Sequence, residues 1–482
     1  MKMSKEQRSL YTYLSSLAHC FPDRRLLGDD TGWLSAADVL SRSLSAASSL
    51  QQYGVQRGTL VALCAKRCVP AAILLFGLRL TGAVIVLYDP REQMEDALSA
   101  CDAAIDPAFK AEITADDSAL LTRYSDGARL SFSLLPERCC PVFFSPVSEP
   151  LEPAFVLFTS GSTGAKKAVV LSEDNLIMDL LATEPMGLYR PDDIALGALP
   201  LDHVFGLVLL VGGPVLGYGI FFPDKTDVPS LLSSIQRERI TRMNGVPSLY
   251  LRLSQQAEDY DCSSLRAGFI AGGPVTLAQF VTIEKALDMT LISVYGMTEC
   301  VGITCSDYRD PQAVRANGVG PFYTVNDGFI LAEDGQKALT GQIGEICVRG
   351  PMRMLGYYGE PLPADAYLHT GDLGCLDDQG VLHLCGRKKD IIIRNGNNLS
   401  IVRIEKALLS LPGVQAAAVV GVPDDMQGEV PCAMIVGWAD RQALAARLHK
   451  NEMPVTLLSV PALPMTALGK PDKQAIREAM RL

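Results

Sequence analysis

Phe158-Thr159-Ser160-Gly161-Ser162-Thr163-Gly164-Ala165-Lys166-Lys167 is the most specific stretch of the chain. An apolar run at 155–159 precedes it and reads as a buried strand; residues 175–183 beyond it read as a helix. Gly161 and Gly164 let backbone N–H groups turn toward one anion. The hydroxyls of Thr159, Ser160, Ser162 and Thr163 can donate to phosphate oxygens, and Lys167 adds a positive charge. A plain surface turn would need neither the strand before it nor the lysines after it. The G-x-x-x-x-G-K-[ST] spacing of the nucleoside triphosphatase loop is absent, so this is another kind of phosphate cradle.

Outward from the loop, apolar runs alternate with helical patterns. Residues 60–64, 83–88, 219–222, 267–271 and 291–294 read as buried strands; 69–80, 228–239 and 277–287 read as helices. The alternation predicts an α/β fold with largely parallel sheets. Strands at 329–331, 344–349 and 381–384 are closely spaced around glycines and predict a small antiparallel section. After Gly386 the pattern changes to a compact α+β unit: strands at 390–394, 414–422 and 432–437, helices at 401–411 and 441–449. The expected domains are 1–386 and 387–482, with the charged Arg387-Lys388-Lys389-Asp390 at the seam.

Composition narrows the class. The 482 residues carry 43 basic and 54 acidic side chains, a net charge of -11, and are 48% hydrophobic. That excludes a disordered chain, and the missing basic excess argues against a nucleic-acid binder. The apolar run 204–222 is interrupted by Gly206, Gly212, Gly213, Pro214, Gly217 and Gly219, so it reads as a buried helix followed by a strand, not a membrane span. Thirteen scattered cysteines, without a metal-type CxxC pair or a signal peptide, read as reduced thiols of a cytoplasmic protein. Five dispersed histidines suggest no zinc site.

Further motifs follow in order: Tyr295-Gly296-Met297-Thr298-Glu299, Tyr367-Leu368-His369-Thr370-Gly371-Asp372, Gly386-Arg387-Lys388-Lys389-Asp390 and Pro464-Met465-Thr466-Ala467-Leu468-Gly469-Lys470. Each alone has a bland reading: a strand end, a turn, a solvated charge run, a surface lysine. Together with the phosphate loop, the chain resembles the adenylate-forming superfamily of acyl- and aryl-CoA synthetases, luciferases and peptide-synthetase adenylation domains. The loop matches that family's (Y/F)TSG(S/T)TGxPKG through Gly164 and at Lys167, and departs at Lys166 and Ala168. Gly344-Glu345-Ile346-Cys347-Val348-Arg349-Gly350 matches a further family strand, and the likeness spans essentially the whole chain.

The resemblance implies an ATP-dependent ligase with a large N-terminal domain and a small mobile C-terminal lid. It implies that the Thr159–Lys167 loop cradles the β- and γ-phosphates, and that Tyr295, with Gly296, Met297 and Gly272, lies against the nucleotide. Thr298 would approach the α-phosphate and Glu299 would hold Mg²⁺. Asp372 and Arg387 would take the ribose. Lys389 would be the hinge, Lys470 the catalytic lysine, and Gly396 part of the surface met by a pantetheine arm. His203, in Pro200-Leu201-Asp202-His203-Val204-Phe205-Gly206, would flank the acyl pocket, with Asn244–Pro247, Ala271–Pro274 and Tyr295. Apolar groups there favour a fatty or aromatic acid. Asp202 leaves an amino-acid alignment open. Ile401 and Arg403 replace the family's usual Pro and Glu where the thiol acceptor docks, so CoA and an acyl- or peptidyl-carrier protein both stand as acceptors. The expected state is a monomer or homodimer.

Overall fold

The computed structural model describes residues 8–101, 103–135, 144–147, 149–159, 166–388, 391–395, 397–424, 426–465 and 471–480. Two large sheets dominate. The first runs Cys300–Cys305, Thr290–Met297, Ala267–Ile270, Arg242–Gly245, Ile194–Leu196, Gly219–Phe222, Arg25–Asp29, Gly32–Ser35, parallel except for its two edge pairings. The second has the parallel core Pro153–Thr159, Val84–Tyr88, Leu60–Cys64, Phe109–Ile113, flanked by antiparallel strands. Both faces of such strands are covered, so their sequences are continuous apolar runs: Val84–Tyr88 is buried at every position.

Helix Val69–Leu80 is buried throughout its length, which explains an apolar sequence without a polar face. One apolar cluster joins it to side chains of both sheets. Arg79 on this helix is also buried, and its Nε lies 2.8 Å from Glu173 Oε1 on helix Glu173–Thr183. Removing one partner of such a pair leaves a buried charge, at a cost of about 3–5 kcal/mol. The 204–222 run divides as expected into helix Val204–Leu216 and strand Gly219–Phe222. Among the described residues no helix is long and apolar enough to cross a membrane.

A four-stranded antiparallel sheet, Asp327–Leu331, Gly344–Arg349, Leu368–Leu376, Leu382–Arg387, follows. The antiparallel section is as expected, but Leu368–Leu376, which carries Asp372, went unrecognised as a strand. Its glycines and His369 mask the alternation, and a register shift at Leu373/Gly374 breaks the period. Strands Ile391–Arg394, Asn397–Ser400, Val414–Asp424, Gly428–Gly437 and Thr456–Val460 with helix Ile401–Leu409 form the small C-terminal unit, which has its own core around Ile404, Leu408 and Val419. Its second helix covers only Arg441–Ala445, shorter than the expected 441–449.

The helix expected at 175–183 is present as Glu173–Thr183, and a strand left unassigned in the sequence lies between it and the phosphate loop. That strand, Lys167–Ser172, is antiparallel to Pro153–Thr159 and paired through Thr159↔Lys167. The helix starts only at Glu173, where the Ser172 side chain accepts from Asn175 N–H. The loop therefore joins the two arms of a hairpin. The apolar run Ala168-Val169-Val170-Leu171 forms this strand, and the Ser172 cap marks where the helix begins.

Candidate active site

Three segments far apart in sequence meet at the edge of the first large sheet. Strand Thr290–Met297 ends at the pentapeptide, turns through Thr298 and Glu299, and returns as Cys300–Cys305. The turn requires glycine at 296: a Cβ there would stand 2.2 Å from the Val301 carbonyl oxygen. Tyr295 is buried, and its hydroxyl donates to Asp372 Oδ2 at 2.7 Å. Arg387 Nε lies 3.0 Å from the other oxygen, Asp372 Oδ1. Asp372 and Arg387 face one another across the antiparallel ladder. Burial and the neighbouring Asp372 charge hold the Tyr295 phenol neutral, well above its ordinary range. The cluster presents a carboxylate, a guanidinium and an aromatic ring, a set suited to a polyol joined to a flat heterocycle.

Glu299 is 9% exposed. Burial pushes its carboxyl up, opposed by the Tyr357 hydroxyl, Arg387 and Lys167. Tyr357 donates to Glu299 Oε1 at 3.1 Å, and Lys167 Nζ stands 4.6 Å from the Tyr357 ring centroid. Tyr357 thus links the foot of the phosphate hairpin to the acid of the pentapeptide. Lys166, where the resemblance would place proline, pairs with Glu92 at 2.6 Å and fastens the hairpin to the loop before helix Met94–Ser99. Among the described residues no group of three or more potential metal ligands occurs. A magnesium ion shared with substrate phosphates needs only one or two protein carboxylates, and Glu299 fits that requirement.

Sequence reading missed Tyr357 and Glu345. Glu345 is nearly buried and accepts from Gly371 N–H at 3.2 Å and from Lys388 Nζ at 3.2 Å. Burial raises its carboxyl, but Lys388 and His369 outweigh this and hold it below its usual range. It ties the Thr370-Gly371-Asp372 bend to the residue after Arg387. Tyr357 has no local signal, since its partner lies 58 positions away. Glu345 was visible only as part of the Gly344–Gly350 match.

His203 stands at the N-cap of helix Val204–Leu216 without capping it by its side chain; its Nε2 is 3.8 Å from Asp202 Oδ2. Burial pushes the Asp202 carboxyl up, with His203 opposing, and Asp202 Oδ1 is buried without a hydrogen-bond partner among the described residues. The first helical turn requires glycine at 206, where a Cβ would meet the Pro200 carbonyl oxygen at 2.0 Å. Gly272 follows the end of Ala267–Ile270, and Asn244 is the penultimate residue of the adjacent strand Arg242–Gly245. Thr298 and Met297 are half-buried beside Glu299. Ser160, Gly161, Ser162, Thr163, Gly164, Lys389, Gly396 and Lys470 lie outside the described residues. Ile401 is buried in the small unit, and Arg403 Nε pairs with Glu452 at 2.6 Å. All eleven cysteines among the described residues are free thiols.

Comparison with known proteins fits this geometry. Residues 15–358 match the AMP-binding enzyme family, and residues 403–470 match the AMP-binding enzyme C-terminal domain. A long-chain-fatty-acid–CoA ligase of Bacillus subtilis is 27% identical over 96% of this chain and 93% of its own length. A salicyl-AMP ligase/salicyl-S-ArCP synthetase of Mycobacterium tuberculosis is 29% identical over 97% of this chain and 90% of its own. The crystal structure of ATP-bound MatB from Rhodopseudomonas palustris superposes with a TM-score of 0.83 at 25% identity, covering 97% of this chain and 99% of that one. The large N-terminal domain, the small C-terminal one and the converged pentapeptide, aspartate and arginine have one common explanation: this chain belongs to the AMP-binding enzyme family.

Proposed function

We propose that the protein is an ATP-dependent carboxylic acid–thiol ligase. The observation that carries the reading is the convergence of Tyr295, Asp372 and Arg387 beside Glu299, assembled from segments up to 92 positions apart (387 minus 295) in a family member. A carboxylate resists acyl transfer because its oxygen is a poor leaving group. One carboxylate oxygen attacks the α-phosphorus of ATP, the bond to the β-phosphate oxygen breaks, and pyrophosphate leaves. A thiol, losing its proton, then attacks the acyl carbon of the mixed anhydride; the bond from that carbon to the bridging oxygen breaks, and AMP departs carrying the carboxylate oxygen that had attacked the phosphorus. Both steps need positioning and charge neutralisation more than covalent catalysis.

Asp372 takes the ribose hydroxyls, with Arg387 beside it, and Tyr295 lies along the adenine. Thr159, Lys167 and the intervening loop hold the β- and γ-phosphates. Thr298 approaches the α-phosphate. Glu299 holds Mg²⁺, which when bound screens the charge on the phosphates. Lys470 bridges the acid and the α-phosphate. Lys389 is the hinge that withdraws Lys470 and brings Gly396 toward the thiol. The acid is fatty or aromatic, and CoA is the acceptor, as in the B. subtilis relative's name.

A second reading has a carrier protein as acceptor. The M. tuberculosis relative supports it, as does Arg403, which engages Glu452 in the small unit where the family's pattern has an acid. Acid-dependent ATP–pyrophosphate exchange across a panel of acids, followed by CoA and then a phosphopantetheinylated carrier as acceptor, tests both. The expected result is exchange without any thiol and thioester formation with CoA. Exchange with thioester formed only on the carrier favours the second reading.

A further inference from the structure

Behind the pentapeptide lies a carboxylate that none of this chemistry uses. Asp179 falls on helix Glu173–Thr183, whose buried side includes Leu176, Leu180 and Thr183. Positions 176, 179, 180 and 183 share one helical face, so Asp179 points inward with them. The residue keeps part of its surface accessible, while its carboxyl group lies deep among protein atoms. It has no hydrogen-bond or ion-pair partner among the described residues.

Its position relative to the reacting end is fixed by two glycines. A Cβ at Gly302 would come 2.0 Å from Asp179 Oδ1. Gly302 lies on strand Cys300–Cys305, which pairs with the pentapeptide strand through Tyr295↔Thr304 and Met297↔Cys300. A Cβ at Gly296 would fall 3.3 Å from Gly302 Cα. Asp179 therefore stands one strand behind the turn that carries Thr298 and Glu299.

The surroundings are apolar with polar tips. Tyr189 and Tyr218 stack at 5.4 Å, and Tyr323 packs beside Gly302 at 2.9 Å from the same built Cβ. Cys305, Tyr189, Tyr218 and Tyr323 all experience the Asp179 charge. Arg242 stands 4.1 Å from the Tyr189 ring; its Nη1 reaches the Leu188 carbonyl and Asp193, and its Nη2 is buried without a hydrogen-bond partner among the described residues. Arg242 and Asn244 alternate onto one face of strand Arg242–Gly245, which runs toward the segment 244–247 expected to border the acyl group.

Burying a carboxylate among aromatic rings without a donor is unfavourable unless a ligand supplies one. Burial pushes the Asp179 carboxyl up to about 7, so both of its forms exist near neutrality, and each can accept a hydrogen bond. We infer that Asp179 is a specificity-determining residue that accepts a hydrogen bond from a hydroxyl or amino group at the far end of the acid. The substrate class is then a fatty or aromatic acid with a donor at its tip. This inference rests on the acid-activating function proposed above.

The test is ATP–pyrophosphate exchange with matched acids: benzoate, 4-hydroxybenzoate and 4-aminobenzoate, then octanoate and 8-hydroxyoctanoate. A site built around a buried acceptor discriminates strongly against analogues lacking the donor, so at least one donor-bearing acid exceeds its parent by about tenfold or more in kcat/KM. The hydroxyl and amino arms identify the donor. Asp179→Leu, similar in size, brings that ratio to about one by raising KM for the donor-bearing acid, with KM for ATP unchanged. Asp179→Asn, which keeps the polarity should the leucine variant misfold, lowers the ratio at least about threefold. Absence of donor preference in the wild type, or a ratio unchanged in both variants, overturns the assignment of Asp179. Exchange with none of the acids, despite ATP binding, rejects the ligase reading instead.

Discussion

The proposed nucleotide wall and the proposed acyl wall treat their acids in opposite ways. Asp372 has both oxygens engaged, by the Tyr295 hydroxyl and by Arg387, and Glu299 accepts from Tyr357. On the proposed acyl side Asp179 has no partner among the described residues, and one oxygen of Asp202 has none. Protein groups that hold an acid in place prepare it for a ligand every substrate shares, here a nucleotide. An acid left unsatisfied carries a cost that only a particular ligand removes, and that is how a shared scaffold acquires a private substrate.

The comparison can be broken on the nucleotide side first. Lys470→Ala is expected to lower the adenylation rate by roughly 10²-fold or more, the loss typical of one preorganised charge, while ATP affinity measured by calorimetry stays nearly constant. Normal adenylation in this variant would reject the proposed role. Lys389→Pro separates the half-reactions: exchange persists and thioester formation is lost, and an equal loss of both would reject the hinge. Asp372→Ala frees Arg387 and Tyr295 and is expected to raise KM for ATP about 10- to 100-fold. Tyr357→Phe leaves Glu299 without its hydroxyl donor, and a loss of about fivefold in kcat/KM follows from roughly 1 kcal/mol.

The acyl side gives the smallest effect and a distinct sign. The folded chain keeps a proton on Asp179 up to about pH 7, whereas the unfolded chain releases it near the ordinary aspartate value of 3.8. Between those values the native state binds more protons, so this group's contribution to stability falls as pH rises. Asp179→Asn removes that term. Its melting temperature, relative to wild type, is expected to be about 2 °C or more higher at pH 8 than at pH 5. An equal difference at both pH values would show that Asp179 has a satisfied partner.

Much of this was legible in the sequence because it is local. Helices Val69–Leu80 and Leu277–Leu287 and strand Leu60–Cys64 stand where their apolar periods place them. Tyr295, Asp372 and Arg387 were legible as motifs that the resemblance gathers around one nucleotide; their direct contacts, made through a ladder and a hairpin, were not legible. Strand Lys167–Ser172 was left unassigned because its apolar run is short and lies between the loop and a capped helix, and Leu368–Leu376 because its glycines and a register shift hide the alternation. Asp179 was illegible: in Glu173-Asp174-Asn175-Leu176-Ile177-Met178-Asp179 it looks like one more polar position of an exposed helix. That helix is packed on nearly every side, with Glu173 and Asp174 also buried, and only tertiary packing shows which of its acids is left without a partner.

The central claim is that this chain activates a carboxylic acid as its adenylate before any thiol is involved. Purified protein, ATP, magnesium and labelled pyrophosphate, with and without the acid panel and with CoA omitted, test it directly. Acid-dependent return of label into ATP is the predicted result. Measurable ATP binding with no exchange for any acid would contradict it and leave a nucleotide-binding protein without the ligase reaction.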